Sequence, residues 1–219
     1  MTINDRNRLA FGYTNHDASA KSFLLKNFNK AVSYNSNFSG CTFDRTSLVG
    51  TKFKFCNMVR ASFKDCLIRG ALFRKCNLEH AVFSNCIVAA STFEKAKLKN
   101  AQFINCKVIG STNLRTFLPQ NYFVNTEFYD TYPSESSFDP ALVAVVNQLR
   151  EHDLIRRSTV LHRKKGKLDT ISLGILVEEF GESNLVAILP EAAVLIEREF
   201  HTLSYIQNVL RKVVNGGSF

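Results

Sequence analysis

The most reactive side chains in this sequence are those of six cysteines, because a thiolate can attack a substrate, bind a metal or form a disulfide. They stand at multiples of five residues from one another, at Cys41, Cys56, Cys66, Cys76, Cys86 and Cys106. The sequence contains no Cys-x-x-Cys pair, and its five histidines show no ligand spacing around the cysteines. We therefore predict free, buried thiols that behave as small apolar side chains, with no metal site and no cofactor.

No other group of residues indicates a catalytic site. Glu197 and His201 share a helical face at i, i+4, which is more typical of a surface pair than of a metal site. The 10 glycines form no glycine-rich turn between a strand and a helix that could hold a phosphate. We expect no catalytic residues and a protein that is not an enzyme.

The formal charge of +9 is concentrated in one stretch of the sequence. Residues 36–110 carry twelve Lys and Arg against four Asp and Glu, a net charge of +8, whereas residues 140–219 carry ten against nine. Such a basic surface attracts phosphates or acidic proteins. The candidate contacts in the first stretch are Lys52, Lys54, Arg74, Lys75 and Lys95. A second basic cluster, predicted to lie in a loop, contains Arg156, Arg157, Arg163, Lys164, Lys165 and Lys167.

A five-residue repeat must position these side chains. Fifteen consecutive units from Ser36 to Gly110 place a large apolar residue at the centre and a small residue two positions earlier. The cysteines occupy the small position, which they share with alanine, serine and threonine. Because a period of five suits neither an amphipathic helix nor an ordinary strand, the repeat indicates a solenoid.

The units, for example Ala71-Leu72-Phe73-Arg74-Lys75, resemble those of the pentapeptide-repeat family. The resemblance implies a right-handed quadrilateral β-helix with four pentapeptides per coil and the centre and small residues pointing inward. Residues twenty apart are then expected to stack. The expected columns are Phe43, Phe63, Phe83 and Phe103 on one side, and Phe53, Phe73 and Phe93 on another, with the candidate lysines beside the second column.

The sequence divides into a predicted N-terminal segment or cap (1–22), a β-solenoid (23–139, strict over 36–110 and irregular over 113–139) and an α-helical C-terminal domain or cap (140–219). Asp139-Pro140 is a typical helix start, and the first helix is expected to extend to about residue 154. A second helix is expected from Asp169 or Thr170 to Gly181, and a long third helix from Pro190.

The helical region has three alternative roles: it caps the solenoid, it docks on a partner, or it pairs two copies of the chain. Its third predicted helix carries a broad apolar stripe. The candidate helical interface residues on that stripe are Leu203, Ile206 and Leu210.

The best-known activity of the resembled family is protection of type II topoisomerases by an acidic rod that mimics DNA. A solenoid with a net charge of +8 over residues 36–110 has the wrong sign for that mechanism. We therefore predict a non-enzymatic scaffold that presents a basic solenoid surface and a helical docking region to a macromolecular partner, most simply a protein. The alternative is nucleic-acid or nucleoprotein binding through the basic strip and the 156–167 loop.

The compartment is expected to be the cytoplasm. The sequence has no apolar run of eighteen residues that could span a membrane. Its first six residues lack the apolar segment of a secretory signal, and six free thiols suit a reducing compartment.

Replacing Phe73 with Asp is expected to give insoluble or unfolded protein, because an unpaired charge among stacked phenylalanines costs several kcal/mol, about 2–7 for even a neutral polar group. The matched control is Lys75→Asp, at an outward position two residues later, which should change the free energy of unfolding by no more than about 0.5 kcal/mol. Denaturant unfolding measures both. A folded Phe73→Asp protein with an unchanged midpoint contradicts the inward assignment.

Overall fold

The structure is a computed structural model that describes residues 12–111 and 114–216. It divides into two compact units, residues 1–129 and 130–219. The boundary between them falls about ten residues before the helix start that marked the second domain in the sequence. Of the predicted N-terminal segment, residues 1–11 lie outside the described part of the chain.

The first unit is a parallel β-solenoid of about five turns. Its strands are β1 (Ser22–Leu24), β2 (Val32–Tyr34), β3 (Thr42–Asp44), β4 (Lys52–Lys54), β5 (Ser62–Lys64), β6 (Leu67–Arg69), β7 (Leu72–Arg74), β8 (Val82–Ser84), β9 (Ile87–Ala89), β10 (Gln102–Ile104), β11 (Lys107–Ile109), β12 (Phe123–Val124) and β13 (Glu127–Tyr129). Every strand pair joins residues twenty apart, as Phe43 with Phe63 and Phe53 with Phe73. The fold class predicted from the repeat is therefore confirmed.

Each coil of twenty residues has four sides, which we number in chain order. The first side is the six-stranded sheet β1-β3-β5-β8-β10-β12, and the second is β6-β9-β11-β13. The third side is the three-stranded sheet β2-β4-β7. The fourth side is built from single bridges that join Asn37, Asn57, Asn77 and Lys97 in turn.

Phenylalanine rings fill the interior of the first and third sides. On the first side, ring centroids lie 4.8 Å apart for Phe43 and Phe63 and 4.5 Å apart for Phe63 and Phe83, with nearly parallel planes. On the third side, Phe73 stacks on Phe53 at 5.5 Å. Across the interior, Phe73 meets Phe63 edge to face at 87°. Aromatic rings favour both arrangements, so the predicted columns form one continuous aromatic core.

The small position does more than leave room for these rings. The Cys66 thiol donates to the carbonyl oxygen of Phe43 (Sγ–O 3.2 Å), and the Cys76 thiol donates to that of Phe53 (3.4 Å). Hydroxyl groups make the same bond elsewhere, as Thr126 does to Phe103 (2.8 Å). In each case the acceptor is the centre residue of the preceding coil, 23 positions earlier. Cysteine is therefore a buried hydrogen-bond donor as well as a small side chain.

Alanine fills the small position elsewhere in the solenoid, for example at Ala61, Ala81 and Ala101. The carbonyl oxygen of Met58 accepts the turn N–H of Ala61 at 3.0 Å, and Ala81 stands at the small position 23 residues after Met58. A turn N–H does not exclude a side-chain donor, because the Phe28 carbonyl oxygen accepts both the turn N–H of Ala31 (2.9 Å) and the Thr51 hydroxyl (2.9 Å). A hydroxyl or thiol at the small position therefore adds a hydrogen bond that alanine cannot make.

The corners of the coil share one backbone conformation. Every fifth residue has a positive φ, for example Phe55 (57°), Lys75 (52°) and Lys95 (53°), and glycine occupies only some corners, such as Gly40 and Gly50. This left-handed conformation costs a non-glycine residue about 1–2 kcal/mol. The corner side chains are mostly exposed, so the corner is one of the outward positions of each repeat unit.

The solenoid changes at its C-terminal end. On the third and fourth sides, a short helix α1 (Leu114–Phe117) and a 3₁₀ helix (Gln120–Tyr122) follow the coil that contains Phe93 and Leu98. Strands β12 and β13 then continue the first and second sides. The stretch predicted as irregular thus combines a helical insertion with two regular strands; Asn113 lies outside the described residues.

The second unit is helical: α2 (Pro140–Leu149), α3 (Asp153–Ser158), α4 (Thr170–Phe180), α5 (Glu182–Val194) and α6 (Leu203–Val214), with 3₁₀ helices at Glu135–Ser137 and Lys164–Gly166. Asp139 caps α2 and Asp169 caps α4, each through its carboxylate. Helix α5 packs against α2, α4 and α6.

The predicted long third helix is wrong, and so is the extension of the first helix to residue 154. The chain leaves Gly181 directly into α5, which contains Pro190 as an interior residue instead of starting there. Residues 195–202 form a break before α6. The apolar residues that suggested one stripe belong to two separate helices, since spacing alone does not reveal a loop between them.

We expect Cys66→Ala to lower the free energy of unfolding by about 1 kcal/mol, because the buried Phe43 carbonyl loses its thiol donor. Cys66→Ser should stay within about 0.5 kcal/mol of the parent, because the hydroxyl replaces the thiol as donor. Chemical denaturation provides the measurement. Equal stabilities of the alanine and serine variants at position 66 would argue against the hydrogen bond.

Candidate functional site

The predicted basic strip lies on the third side of the solenoid and on the corner that follows it. Lys52 and Lys54 flank the buried Phe53 in β4, so their side chains point outward. Lys54 is paired in register with Arg74 of β7. Lys52 is exposed and Lys54 is half-buried.

Arg74 contributes less to this strip than its sequence position suggested. Its Nε lies 3.2 Å from Oε1 of Glu94, which stands twenty residues later on the same side. Both side chains are nearly half exposed (46% and 43%), so the pair adds little stability. The glutamate nevertheless offsets the arginine's charge. Sequence reasoning missed Glu94, although the twenty-residue register could have placed it there.

The corner between the third and fourth sides carries Lys75 and Lys95, both exposed. Below them on the same corner lies Phe55, whose side chain is 42% exposed. The Lys75 Nζ lies 5.2 Å from the Phe55 ring centroid, in a cation–π contact. The ring of Tyr34 meets Phe55 edge to face at 5.4 Å. An outward aromatic pair therefore lies among lysines, which the inward-pointing phenylalanine pattern did not predict.

A groove of about 440 Å³ opens along this corner. We call it the lysine groove, and its lining consists of Phe55, Cys56, Asn57, Val59, Lys75, Cys76, Asn77, Lys95 and Lys97. Lys97, paired with Asn77 by a bridge, was not among the predicted contacts. Three ammonium groups and an apolar floor suit an anionic group attached to an apolar one.

A ladder of side-chain amides stiffens one wall of the lysine groove. Asn57 Nδ2 donates to Asn37 Oδ1 (3.2 Å), which lies one coil below. Asn57 Oδ1 accepts the N–H of Val59 (3.3 Å), and Asn77 Oδ1 accepts the N–H of Glu79 (3.1 Å). These bonds hold the backbone of the fourth side in its turns, so the lysines are presented from a rigid support.

In the second basic cluster, the first two arginines are engaged by carboxylates. Arg156 and Arg157 both contact Asp153, at 3.0 and 2.6 Å. The hydrogen bond from Arg156 is the main cause that holds the pKa of Asp153 below its usual range. Both arginines lie in α3 and not in the predicted loop. Their charges are therefore only partly available to a partner.

The remainder of the cluster forms a tight turn, which we call the lysine turn (163–167). The N–H of Arg163 donates to the carbonyl of Lys167 (2.7 Å), and Lys165 takes a left-handed φ of 64°. The Arg163 guanidinium lies 4.1 Å from the Tyr132 ring centroid. Lys164, Lys165 and Lys167 are exposed. Only the lysines of this cluster thus point freely outward.

The candidate helical interface lies in the interior of the second unit. Leu203, Ile206 and Leu210 are 7%, 0% and 0% exposed. The amphipathic stripe of α6 faces its own core, where α6 packs against α5. A partner cannot reach these three side chains without opening the unit, so they do not form an open docking face.

Most of the thiols sit in surroundings that raise their pKa, whereas a hydrogen bond with Cys76 lowers the pKa of Cys56. All six cysteines are buried and free. Burial raises the pKa of the Cys41 and Cys86 thiols. Within residues 12–111 and 114–216, no cluster of three His, Cys, Asp or Glu side chains is arranged to hold a metal ion. In the same residues, none of the helices is long and apolar enough to cross a bilayer.

Comparison with known proteins agrees with this geometry. Residues 36–114 match the family described as pentapeptide repeat region. The four-sided coil and the five-residue pattern define the class, a β-solenoid repeat protein. More particularly, the chain contains a pentapeptide-repeat solenoid, and its helical unit lies outside the matched residues. A search of curated proteins finds no match.

Solved structures similar to this chain are pentapeptide repeat proteins. One from the thylakoid lumen of Arabidopsis thaliana is 15% identical over 48% of this chain and 74% of its own, with a TM-score of 0.42. Rfr23 from the cyanobacterium Cyanothece 51142 is 14% identical over 43% and 89%, with a TM-score of 0.31. HetL from Nostoc, involved in regulating heterocyst differentiation, is 10% identical over 47% and 72%, with a TM-score of 0.22. We transfer no function from these proteins.

Native protein should react slowly with a thiol reagent at neutral pH, because the six thiols are buried and those of Cys41 and Cys86 have raised pKa values. After unfolding in denaturant, all six should react at the rate of a free thiol. Counting labels by mass spectrometry with time checks this expectation. Fast labelling of several cysteines in the folded protein runs against it.

Proposed function

We propose that the protein is a non-enzymatic interaction module that binds an acidic segment of a partner protein in the lysine groove. The observation that carries this proposal is the meeting of Lys75, Lys95 and Lys97 with the exposed Phe55 in one groove. Carboxylates of the partner would contact the ammonium groups, and an apolar side chain beside them would rest on Phe55 and Val59.

The electrostatics of the groove favour an anionic partner. The nearby Glu94 is engaged by Arg74, so it does not cancel the charge of the lysines. The repeat region around the groove has a net charge of +8 over residues 36–110. Such a field raises the rate of encounter with an acidic surface and suppresses encounters with basic ones. The same sign argues against mimicry of DNA.

The geometry around Phe55 favours a protein over a nucleic acid. A base that stacks on an aromatic ring needs an open ring face, but Lys75 lies over the Phe55 ring and Tyr34 meets it edge to face. An apolar side chain of a protein segment needs only part of the ring surface, and Phe55 is 42% exposed. Nucleic-acid binding through phosphates alone remains the alternative, and the test below distinguishes the two.

The solenoid limits the cost of binding. The groove residues are attached to hydrogen-bonded coils, and the asparagine ladder fixes one wall. Binding therefore orders little more than the lysine side chains, each at a cost of about 0.5–1.5 kcal/mol. The helical unit offers a second basic feature, the lysine turn, which we propose as an auxiliary contact.

The experiment is recovery of partners from a native extract by tagged protein, with and without nuclease. The double variant Lys75→Glu and Lys95→Glu should weaken the complex about tenfold, since each exposed charge pair lost is worth about 0.2–1 kcal/mol and reversal adds repulsion. The matched control is Lys26→Glu and Lys64→Glu, near the diagonally opposite corner, which should leave affinity unchanged. Melting temperatures verify that all variants fold.

Two results would count against the proposal. If the complex resists nuclease and its affinity is unchanged in the Lys75→Glu and Lys95→Glu variant, the contact lies elsewhere on the protein. A complex lost on nuclease treatment, with affinity that falls steeply as salt rises, would assign the groove to nucleic-acid phosphates; each lost phosphate contact should then reduce the salt slope by about one unit.

A further inference from the structure

A second cavity, of about 640 Å³, lies at the C-terminal end of the third and fourth sides. We call it the end cavity. Its apolar lining comes from Phe93, Leu98, Leu114, Phe117, Leu118 and Tyr122. All of these residues belong to the solenoid unit, and the lysine groove shares only Lys95 with this cavity.

The end cavity exists because, among the described residues, the columns of core side chains that contain Phe93 and Leu98 have no further residue stacked on them. Phe73 and Leu78 are fully buried, whereas Phe93 and Leu98, one coil later, are only partly buried. Phe93 stacks on Phe73 at 4.9 Å, which holds its ring in place as the floor. Helix α1 follows in place of a regular strand and stands off the coil, since a helix cannot continue the strand-to-strand stacking distance of about 4.8 Å.

The walls of the end cavity are anchored. Leu114 of α1 is 2% exposed and belongs to the solenoid core. The Tyr122 hydroxyl oxygen accepts the backbone N–H of Asn100 at 2.9 Å, which ties the 3₁₀ helix to the corner at Asn100. Phe117 is 72% exposed. The cavity therefore has a rigid floor, fixed walls and an exposed aromatic ring on its rim.

The charges on the rim are positive. Lys95 and Lys99 both line the cavity and are exposed. Glu94, the acidic residue in the lining, is paired with Arg74 at 3.2 Å. An apolar interior with a cationic rim is complementary to a molecule with an apolar body and an anionic end.

We propose that the end cavity binds a small amphipathic carboxylate, such as a medium-chain fatty acid. Its volume lies within the range of about 300–1,000 Å³ that is usual for small-molecule sites lined by apolar and aromatic side chains. The alkyl chain contacts Phe93, Leu98 and Leu118, and the carboxylate lies at Lys99 and Lys95. This inference does not depend on the function proposed for the lysine groove.

The test is isothermal titration of the full chain with dodecanoate below its micelle concentration. Dodecanol and dodecyltrimethylammonium serve as head-group controls and should bind more weakly than dodecanoate. Octanoate should also bind more weakly, by up to about fourfold for each methylene removed, as expected for burial of the chain.

Variants locate the site. Lys99→Glu should weaken dodecanoate binding by about three- to tenfold, whereas Lys97→Glu, which lines the lysine groove but not the end cavity, should not. Thr92→Trp places a large ring from an exposed lining position into the cavity and should abolish binding while the melting temperature is retained.

Three outcomes would overturn the proposal. Absence of dodecanoate binding to the parent protein would show that the cavity takes no such ligand. Equal binding of all three head groups would remove the role of the lysines, and unchanged binding by folded Thr92→Trp would place the ligand elsewhere. Weakened partner binding in Lys97→Glu, with dodecanoate binding retained in the same variant, would separate the two sites.

Discussion

The twenty-residue hydrogen-bonded register is the constraint on which the solenoid depends. Each strand pairs in parallel with the strand one coil away, so every side chain lies above a residue twenty positions earlier. Phenylalanine therefore stacks on phenylalanine, and lysine or asparagine forms columns on the surface. The lysine groove and the asparagine ladder both follow from this register, because residues of the same type that recur every twenty positions stack in a column on the surface.

Inside the coil, a hydroxyl or thiol at the small position adds a hydrogen bond between neighbouring coils. Cys66 donates to the Phe43 carbonyl and Thr126 to the Phe103 carbonyl, whereas alanine at Ala81 makes no such bond. Reading cysteine only as a small apolar residue was correct about its burial and incomplete about its role. A neutral thiol donates a hydrogen bond and resists ionisation in the same surroundings.

The resemblance to pentapeptide repeats implied the four-sided coil. On such a coil, the repeat predicted the two phenylalanine columns and the side that carries Lys52, Lys54 and Arg74, because these depend only on register. The sequence analysis overlooked Glu94, which the twenty-residue register places on the same side as Arg74. It also did not single out Phe55, although this residue lies outside the two inward positions of its repeat unit. In the helical unit, the helix cap at Asp169 could be predicted because capping depends on local sequence. The break at residues 195–202 could not be predicted, because the spacing of apolar residues is the same in one long helix as in two shorter ones.

The helical insertion at the end of the solenoid has a consequence for self-assembly. A stack of identical coils is a natural template for fibre growth, since the last coil of one molecule can pair with the first coil of another. Here α1 and the 3₁₀ helix follow the coil of Phe93 and Leu98 on two of four sides. On those sides an incoming copy would meet two short helical turns instead of an extended strand with which it could pair. The insertion that opens a cavity therefore also works against end-to-end polymerisation.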